Sequence, residues 1–162
     1  MTLPTITEDT ISLAAGDELI LRFRTWEDYE ALLARREDKA GLRIRYDSKT
    51  QEIRIISPLP RHGKDADSLA DFVKALLRHE GKDWDAFTPI TLKRINQQGI
   101  EPDYCFYIDN RASILGKERI DLETDPAPDL VIEIDLTCAT KPEDYQAISP
   151  LELWIYRQSQ LS

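Results

Sequence analysis

The sequence predicts an α/β fold, a mixed central sheet flanked by helices. Three observations predict it. The stretch "PDLVIEIDL", residues 128–136, reads as an interior strand, with Leu130, Val131, Ile132, Ile134 and Leu136 filling both faces. A short helical segment, "PEDYQAI", and a further strand, "LELWIY", follow it, and strand–helix–strand implies a right-handed crossover and a parallel pair. Earlier, "LRIRY" and "QEIRIIS" flank "DSKT" as an antiparallel hairpin. Parallel and antiparallel strands together make the sheet mixed.

The elements follow in chain order within one domain, 1–162. Residues 1–24 form an arm and a strand. The arm has no basic start and no long apolar core, so it does not read as a secretory signal, and "ELILRFR" is the strand. Residues 25–57 form a helix and a hairpin. Thr25 is the expected N-cap, with Glu27 and Asp28 in the first turn and Trp26, Tyr29, Leu32 and Leu33 at helical spacing. Hairpin alternation places Leu42, Ile44 and Tyr46 on one face and Arg43 and Arg45 on the other. Residues 58–157 form the core. "SPLPRHGKD" reads as a loop carrying His62, and Asp65 or Asp67 as the cap of the next helix. That helix has Leu69, Phe72, Val73, Leu76 and Leu77 as one buried stripe, and His79 ends it. "TPITLKRI" and "PDYCFYI" read as a second hairpin turning at "NQQG", and residues 109–127 as irregular.

Composition narrows the class. A chain of 162 residues with 41% hydrophobic and 31% charged residues is expected to be a soluble globular domain. No apolar run reaches the roughly 20 residues that span a bilayer, so no membrane role is expected. Cys105 and Cys138 form no CxxC pair, which argues against a thiolate zinc site or a disulfide framework and for a reducing cytoplasm. A net charge of −9 argues against a general nucleic-acid coat. The charge is uneven, however: residues 22–64 carry eleven Lys and Arg against seven acids, a net of +4.

Within the interior strand, Glu133 and Asp135 need compensation, because an unpaired buried carboxylate is expensive. Two residues apart, they share a face. A basic partner, solvent at a sheet edge or a metal ion would each serve. Asp103 opens "DYCFYI" after a proline. If the two strands are neighbours, Asp103 and Glu133 face each other across roughly 5 Å. Carboxylates that close disfavour double ionisation, and Mg²⁺ or Mn²⁺ suits such oxygen ligands. Lys141, at the start of the next helix, is a candidate charge for the same place. Spacing alone favours the plainer alternative, that Glu133 and Asp135 pair with Arg or Lys at a sheet end. Trp26, Trp84 and Trp154 read as core or interface, and Tyr145 as packing the short helix on the sheet.

Between about residues 25 and 157, the pieces resemble in order a bacterial family of putative restriction endonucleases in the PD-(D/E)xK nuclease superfamily. The matching pieces are "TWEDYEALLARRE", "YDSKTQEIRIISPLPRHG", "DSLADFVKALL", "EPDYCFYI", "PDLVIEIDLT" and "KPEDYQAISPLELWIYR". The resemblance implies a restriction endonuclease-like core with an N-terminal helix-and-hairpin extension. It implies that Asp103 and Glu133 bind the metal with the backbone carbonyl of Ile134, and that the activity is metal-dependent hydrolysis of DNA. The sequence departs at the third motif position, where Asp135 stands in place of Lys. Lys141 fits a basic residue drawn from the following helix, Asp135 a further ligand or an acid behind the ligands, and His62 a substrate contact. Two rival readings remain: a non-catalytic module binding nucleic acid or protein, and a metal-dependent hydrolase of another phosphodiester. A homodimer is expected, since a duplex has two strands to cut.

Overall fold

The computed structural model describes residues 5–6, 11–36, 41–157 and 160–161. Much of the expected N-terminal arm lies outside them. Strands β1 (Thr5–Ile6) and β2 (Ile11–Ser12) form a small antiparallel pair. Then come β3 (Glu18–Leu21), α1 (Trp26–Arg36), β4 (Arg43–Asp47), β5 (Glu52–Ile56) and α2 (Pro60–His79). The second half holds β6 (Asp85–Phe87), β7 (Leu92–Arg94), β8 (Gln98–Ile100), β9 (Tyr104–Tyr107), β10 (Leu130–Asp135), β11 (Glu152–Arg157) and β12 (Gln160–Leu161). Single 3-10 turns lie at Arg111–Ile114 and Pro142–Tyr145.

Two five-stranded sheets result. The central sheet, β12-β11-β10-β9-β6, is mixed: β10 runs parallel to β11 and antiparallel to β9. The second sheet, β3-β5-β4-β8-β7, is antiparallel throughout. This mixed α/β architecture is the restriction endonuclease-like fold that the sequence predicts. One expected pairing is corrected. Leu92–Arg94 turns back onto Gln98–Ile100 in the second sheet, whereas Tyr104–Tyr107 belongs to the central one. "NQQG" therefore closes a hairpin shorter than expected, and the residues just before Asp103 carry the chain from one sheet to the other.

Alternation along β10 makes its two faces. Leu130, Ile132 and Ile134 pack with Ala66, Ala70, Val73 and Leu77 of α2. Val131 packs the other way, with Cys105, Leu92, Ile100, Tyr145 and Ile148. The stripe of α2 is thus narrower than expected. Phe72 is 59% exposed and Leu76 42%, because alanines set the depth of contact and Val73 and Leu77 fill it. The helix also starts sooner. Pro60 stands at its first position, where a missing N–H costs nothing, so His62 lies in its first turn rather than in a loop. Asp65 consequently makes an i,i+4 pair with Arg61 instead of a cap.

Helix α1 begins as expected. The Asp28 amide donates to Thr25 Oγ1 at 3.2 Å, and the Thr25 amide to Asp28 Oδ2 at 3.0 Å, a reciprocal cap. Tyr29 packs between Trp26 and Tyr46. Gly99 makes that possible, since a Cβ there would collide with the Tyr29 ring. The hairpin of β4 and β5 is thereby fastened at two places, to α1 by this aromatic cluster and to β8 through Tyr46 and Asp47.

Candidate active site

The register of β9 and β10 pairs Ile132 with Tyr104, so the next step places Glu133 opposite Asp103. Asp103 is held there by the Ile134 amide, which donates to its Oδ2 at 2.8 Å. A single local rule does this. A carboxylate just outside the end of an antiparallel strand accepts the neighbouring strand's N–H, in place of the carbonyl that would continue the ladder.

Glu133 is 2% exposed. It shares the face of Val131 and points toward the second sheet. Arg45 Nη2 donates to Glu133 Oε1 at 3.1 Å, and the Tyr145 hydroxyl donates to the same oxygen. These partners do not balance its surroundings. Burial, above all, raises its carboxyl from 4.5 to about 8; Asp103 raises it further by its charge and a shared hydrogen bond, while Arg45 and Tyr145 pull it down. Burial, with the Glu133 charge behind it, pushes the Tyr145 phenol well above its ordinary value.

Asp135 has a different task. Its Oδ2 accepts the Thr140 amide at 2.8 Å and Arg157 Nε at 3.2 Å, and its Oδ1 accepts Thr140 Oγ1 at 2.8 Å. Arg157 Nη2 also bonds the Thr140 carbonyl at 2.7 Å. The acid therefore folds the segment after β10 back onto the strand end. Arg45 Nη1 reaches Thr140 Oγ1 at 3.2 Å, which links the Asp135 cluster to Glu133.

A small cavity of about 20 Å³ is lined by Asp103, Glu133, Ile134 and Asp135, with Arg43, Arg45 and His62 around it. That is room for about one water-sized species. Lys141 does not line it. Lys141 is exposed at the start of the second 3-10 turn and borders a separate pocket of about 410 Å³ shared with Arg45, Arg54 and Asp144. The structure thus brings Asp103, Glu133, Ile134, Asp135 and His62 together, with Lys141 on the far side of Arg45.

The basic partners that the sequence left open are Arg45 for Glu133 and Arg157 for Asp135, and Tyr145 packs the segment after β10 on the sheet as expected. The sequence did not name either arginine or Thr140, nor the bond from Tyr145 to Glu133; Arg45 alone left a signal, alternating with Ile44 and Tyr46 on its hairpin. Glu101 was missed as well. It receives a two-pronged pair from Arg36, the Ile44 amide at 2.9 Å and Thr91 Oγ1 at 2.9 Å.

The donor set at the cavity suits a hard divalent cation. Two carboxylates from adjacent strands face each other, and their mutual repulsion is what a cation relieves. Among the described residues no group of three or more His, Cys, Asp or Glu side chains is arranged to hold a metal ion. A cation here would need backbone carbonyl and water for its remaining positions, which is usual for Mg²⁺.

The fold places the chain among restriction endonuclease-like proteins. The model of the Uma2 family, described as "Putative restriction endonuclease", matches residues 26–162, and the chain belongs to that family. No curated protein matches it. Among the described residues, no helix is long and apolar enough to cross a membrane.

Proposed function

We propose that the protein is a metal-dependent endonuclease that hydrolyses phosphodiester bonds of DNA. The observation that carries this reading is the opposition of two buried carboxylates, Asp103 and Glu133, with the Glu133 carboxyl raised to about 8. A carboxyl perturbed by burial and by a like-charged neighbour beside a cavity is a functional-site candidate. Family membership supports the nuclease class, and the identity of the substrate is argued by analogy.

Asp103, Glu133 and the Ile134 carbonyl would hold Mg²⁺ or Mn²⁺. When bound, such an ion lowers the pKa of a water and offsets charge on a phosphoryl oxygen. The chain's own residues do the rest. The Ile134 amide fixes Asp103, and Arg45 with Tyr145 fixes one Glu133 oxygen. Asp135 acts behind them by anchoring Thr140 and hence Arg45. Lys141, a compact charge on a flexible stem, would have to reach past Arg45 from the adjoining pocket to serve the phosphate. A single site cuts one strand, so a twofold pair of copies would serve a duplex.

The test is a Mn²⁺ titration by calorimetry together with cleavage of a DNA duplex. Asp103→Ala and Glu133→Ala are expected to abolish both Mn²⁺ binding and cleavage. Lys141→Met is expected to keep Mn²⁺ affinity within a few-fold and to slow cleavage on the order of 100-fold. Unchanged Mn²⁺ affinity in both alanine variants would sink the site. A wild type that binds Mn²⁺ and cuts no DNA would leave the fold with another phosphodiester as substrate, or with no reaction.

A further inference from the structure

Beside Asp103 lies a larger cleft of about 650 Å³, between the start of α2 and the first residue of β4, lined by Arg43, His62, Gly63, Lys64 and Asp103 among others. Three independent features of its wall call for an anion. The first is Arg43. Arg36, Arg45, Arg54, Arg61 and Arg157 each pair with an acid. Among the described residues Arg43 has no such pair, and its buried Nε has no hydrogen-bond partner. A half-buried guanidinium with no acid beside it favours a counter-charge from outside; the unpartnered Nε is not itself the signal, since the paired Arg45 and Arg111 show the same.

The second is His62, 7% exposed, whose Nδ1 is buried and also without a partner. It lines both this cleft and the small cavity at Glu133. The third is the start of α2. This helix of 20 residues has no side-chain cap at Leu59 and no acid in its first turn. Pro60 has no amide to offer, and the His62 amide is bonded to the Leu59 carbonyl at 2.9 Å, so the helix contributes the positive end of its dipole more than free donors. Lys64 adds a mobile charge. Asp67, one turn on, also borders the cleft, but Asp103 is engaged by the Ile134 amide.

We infer that this cleft is a phosphate subsite: Arg43, His62, Lys64 and the start of α2 take the backbone phosphate that neighbours the one held at Asp103 and Glu133. This rests on the reading of those two acids as the reacting centre of a nuclease. Arg43 supplies a planar fork suited to two phosphate oxygens. The His62 ring stands at the wall shared by the two sites. A contact of this kind sets the register of the strand and carries no base preference.

The experiment measures binding of a fluorescently labelled short duplex by anisotropy, in EDTA so that nothing is cut, over a series of salt concentrations. Arg43→Gln is expected to weaken binding about 10-fold and to reduce the salt slope by about 1. Lys64→Gln, on an exposed position that the fold does not need, is expected to weaken it about threefold. Lys82→Gln, just beyond the far end of α2, should match the wild type. Equal affinity and slope in the wild type, Arg43→Gln and Lys64→Gln overturns the subsite. So does an equal loss in Lys82→Gln, or a wild type that binds no duplex. Calorimetry with Mn²⁺ alone separates this from the reaction itself. A chain that binds DNA through Arg43 but cuts with no metal keeps the subsite and loses the endonuclease reading. A chain that cuts, with Arg43→Gln binding and cutting as the wild type does, keeps the reaction and loses the subsite.

Discussion

Glu101 and Glu133 are buried alike, 3% and 2% exposed, and both border the small cavity. Their surroundings are opposite. Glu101 accepts two bonds from Arg36, one from the Ile44 amide and one from Thr91, so both its oxygens are occupied by donors. It locks α1 to β4 and to the segment before β7. Glu133 has its donors on one oxygen and a second acid opposite. Burial alone does not tell the two acids apart. Each has an arginine; what differs is the second acid opposite Glu133.

The largest expected effect breaks the lock. Glu101→Ala removes the acid that receives two bonds from Arg36 and the acceptor of the Ile44 amide. Breaking a buried pair from one side costs about 3–5 kcal/mol, which urea unfolding would read as a large drop in midpoint. Glu133→Gln, at a site of similar burial, is expected to cost far less near neutral pH, because a carboxyl raised to about 8 is largely protonated there and the neutral amide resembles it. Equal losses in the two variants would mean that the contrast between the sites is not energetic.

The second effect is confined to a pH window. Glu133 is raised from 4.5 to about 8, chiefly by burial. A raised folded-state value means that the folded protein holds a proton which the unfolded chain gives up. The stability from that proton is fully present below about 4.5 and is lost as pH rises through about 8. The slope is at most about 1.4 kcal/mol per pH unit. Urea midpoints of the wild type should therefore fall across this window, and those of Glu133→Gln should fall much less. Added Mn²⁺ should restore more stability at the upper end than at the lower, since ligands bind a metal deprotonated. Parallel pH profiles for the two proteins would remove Glu133 as the titrating group.

The contrast also explains what the sequence could and could not disclose. The Asp103–Glu133 pair was legible because it depends on one antiparallel register between two recognisable strands. The parallel β10–β11 pair was legible from strand–helix–strand order, and the start of α1 from Thr25 and Asp28. All are local patterns. Arg45 was not legible as the partner of Glu133, which lies 88 residues away, because the contact exists only once the second sheet is laid over the central one. Reading Gln98 and Gly99 as a turn rather than as part of a strand hid that sheet. The reach of α2 was misjudged for a related reason. Apolar spacing marked Phe72 and Leu76 as core, but the alanines at 66 and 70 decide which stripe faces β10.

The smallest expected effect asks whether Glu133 and Asp135 are one network or two. Thr140 is the only joint between them among the described residues: its hydroxyl donates to Asp135 and accepts from Arg45, which holds Glu133 with its other arm. Thr140→Val keeps the shape and deletes the hydroxyl. The variant alone is expected to lose about 1–2 kcal/mol, the value of a buried bond with its acceptor left unpaired. The informative quantity is the cycle with Glu133→Gln. A guanidinium is a rigid planar fork, so freeing Nη1 from Thr140 loosens Nη2 at Glu133 as well. Once Glu133 is a neutral amide, that arm has less to lose. The two substitutions should therefore sum to less than their separate costs, by about 0.5 kcal/mol or more. Strict additivity would make Asp135 a fastening for the segment after β10 with no influence on the acid pair. A measured coupling would make Asp135, the residue that stands where the motif asks for lysine, a positioning residue that acts on Glu133 through Thr140 and Arg45.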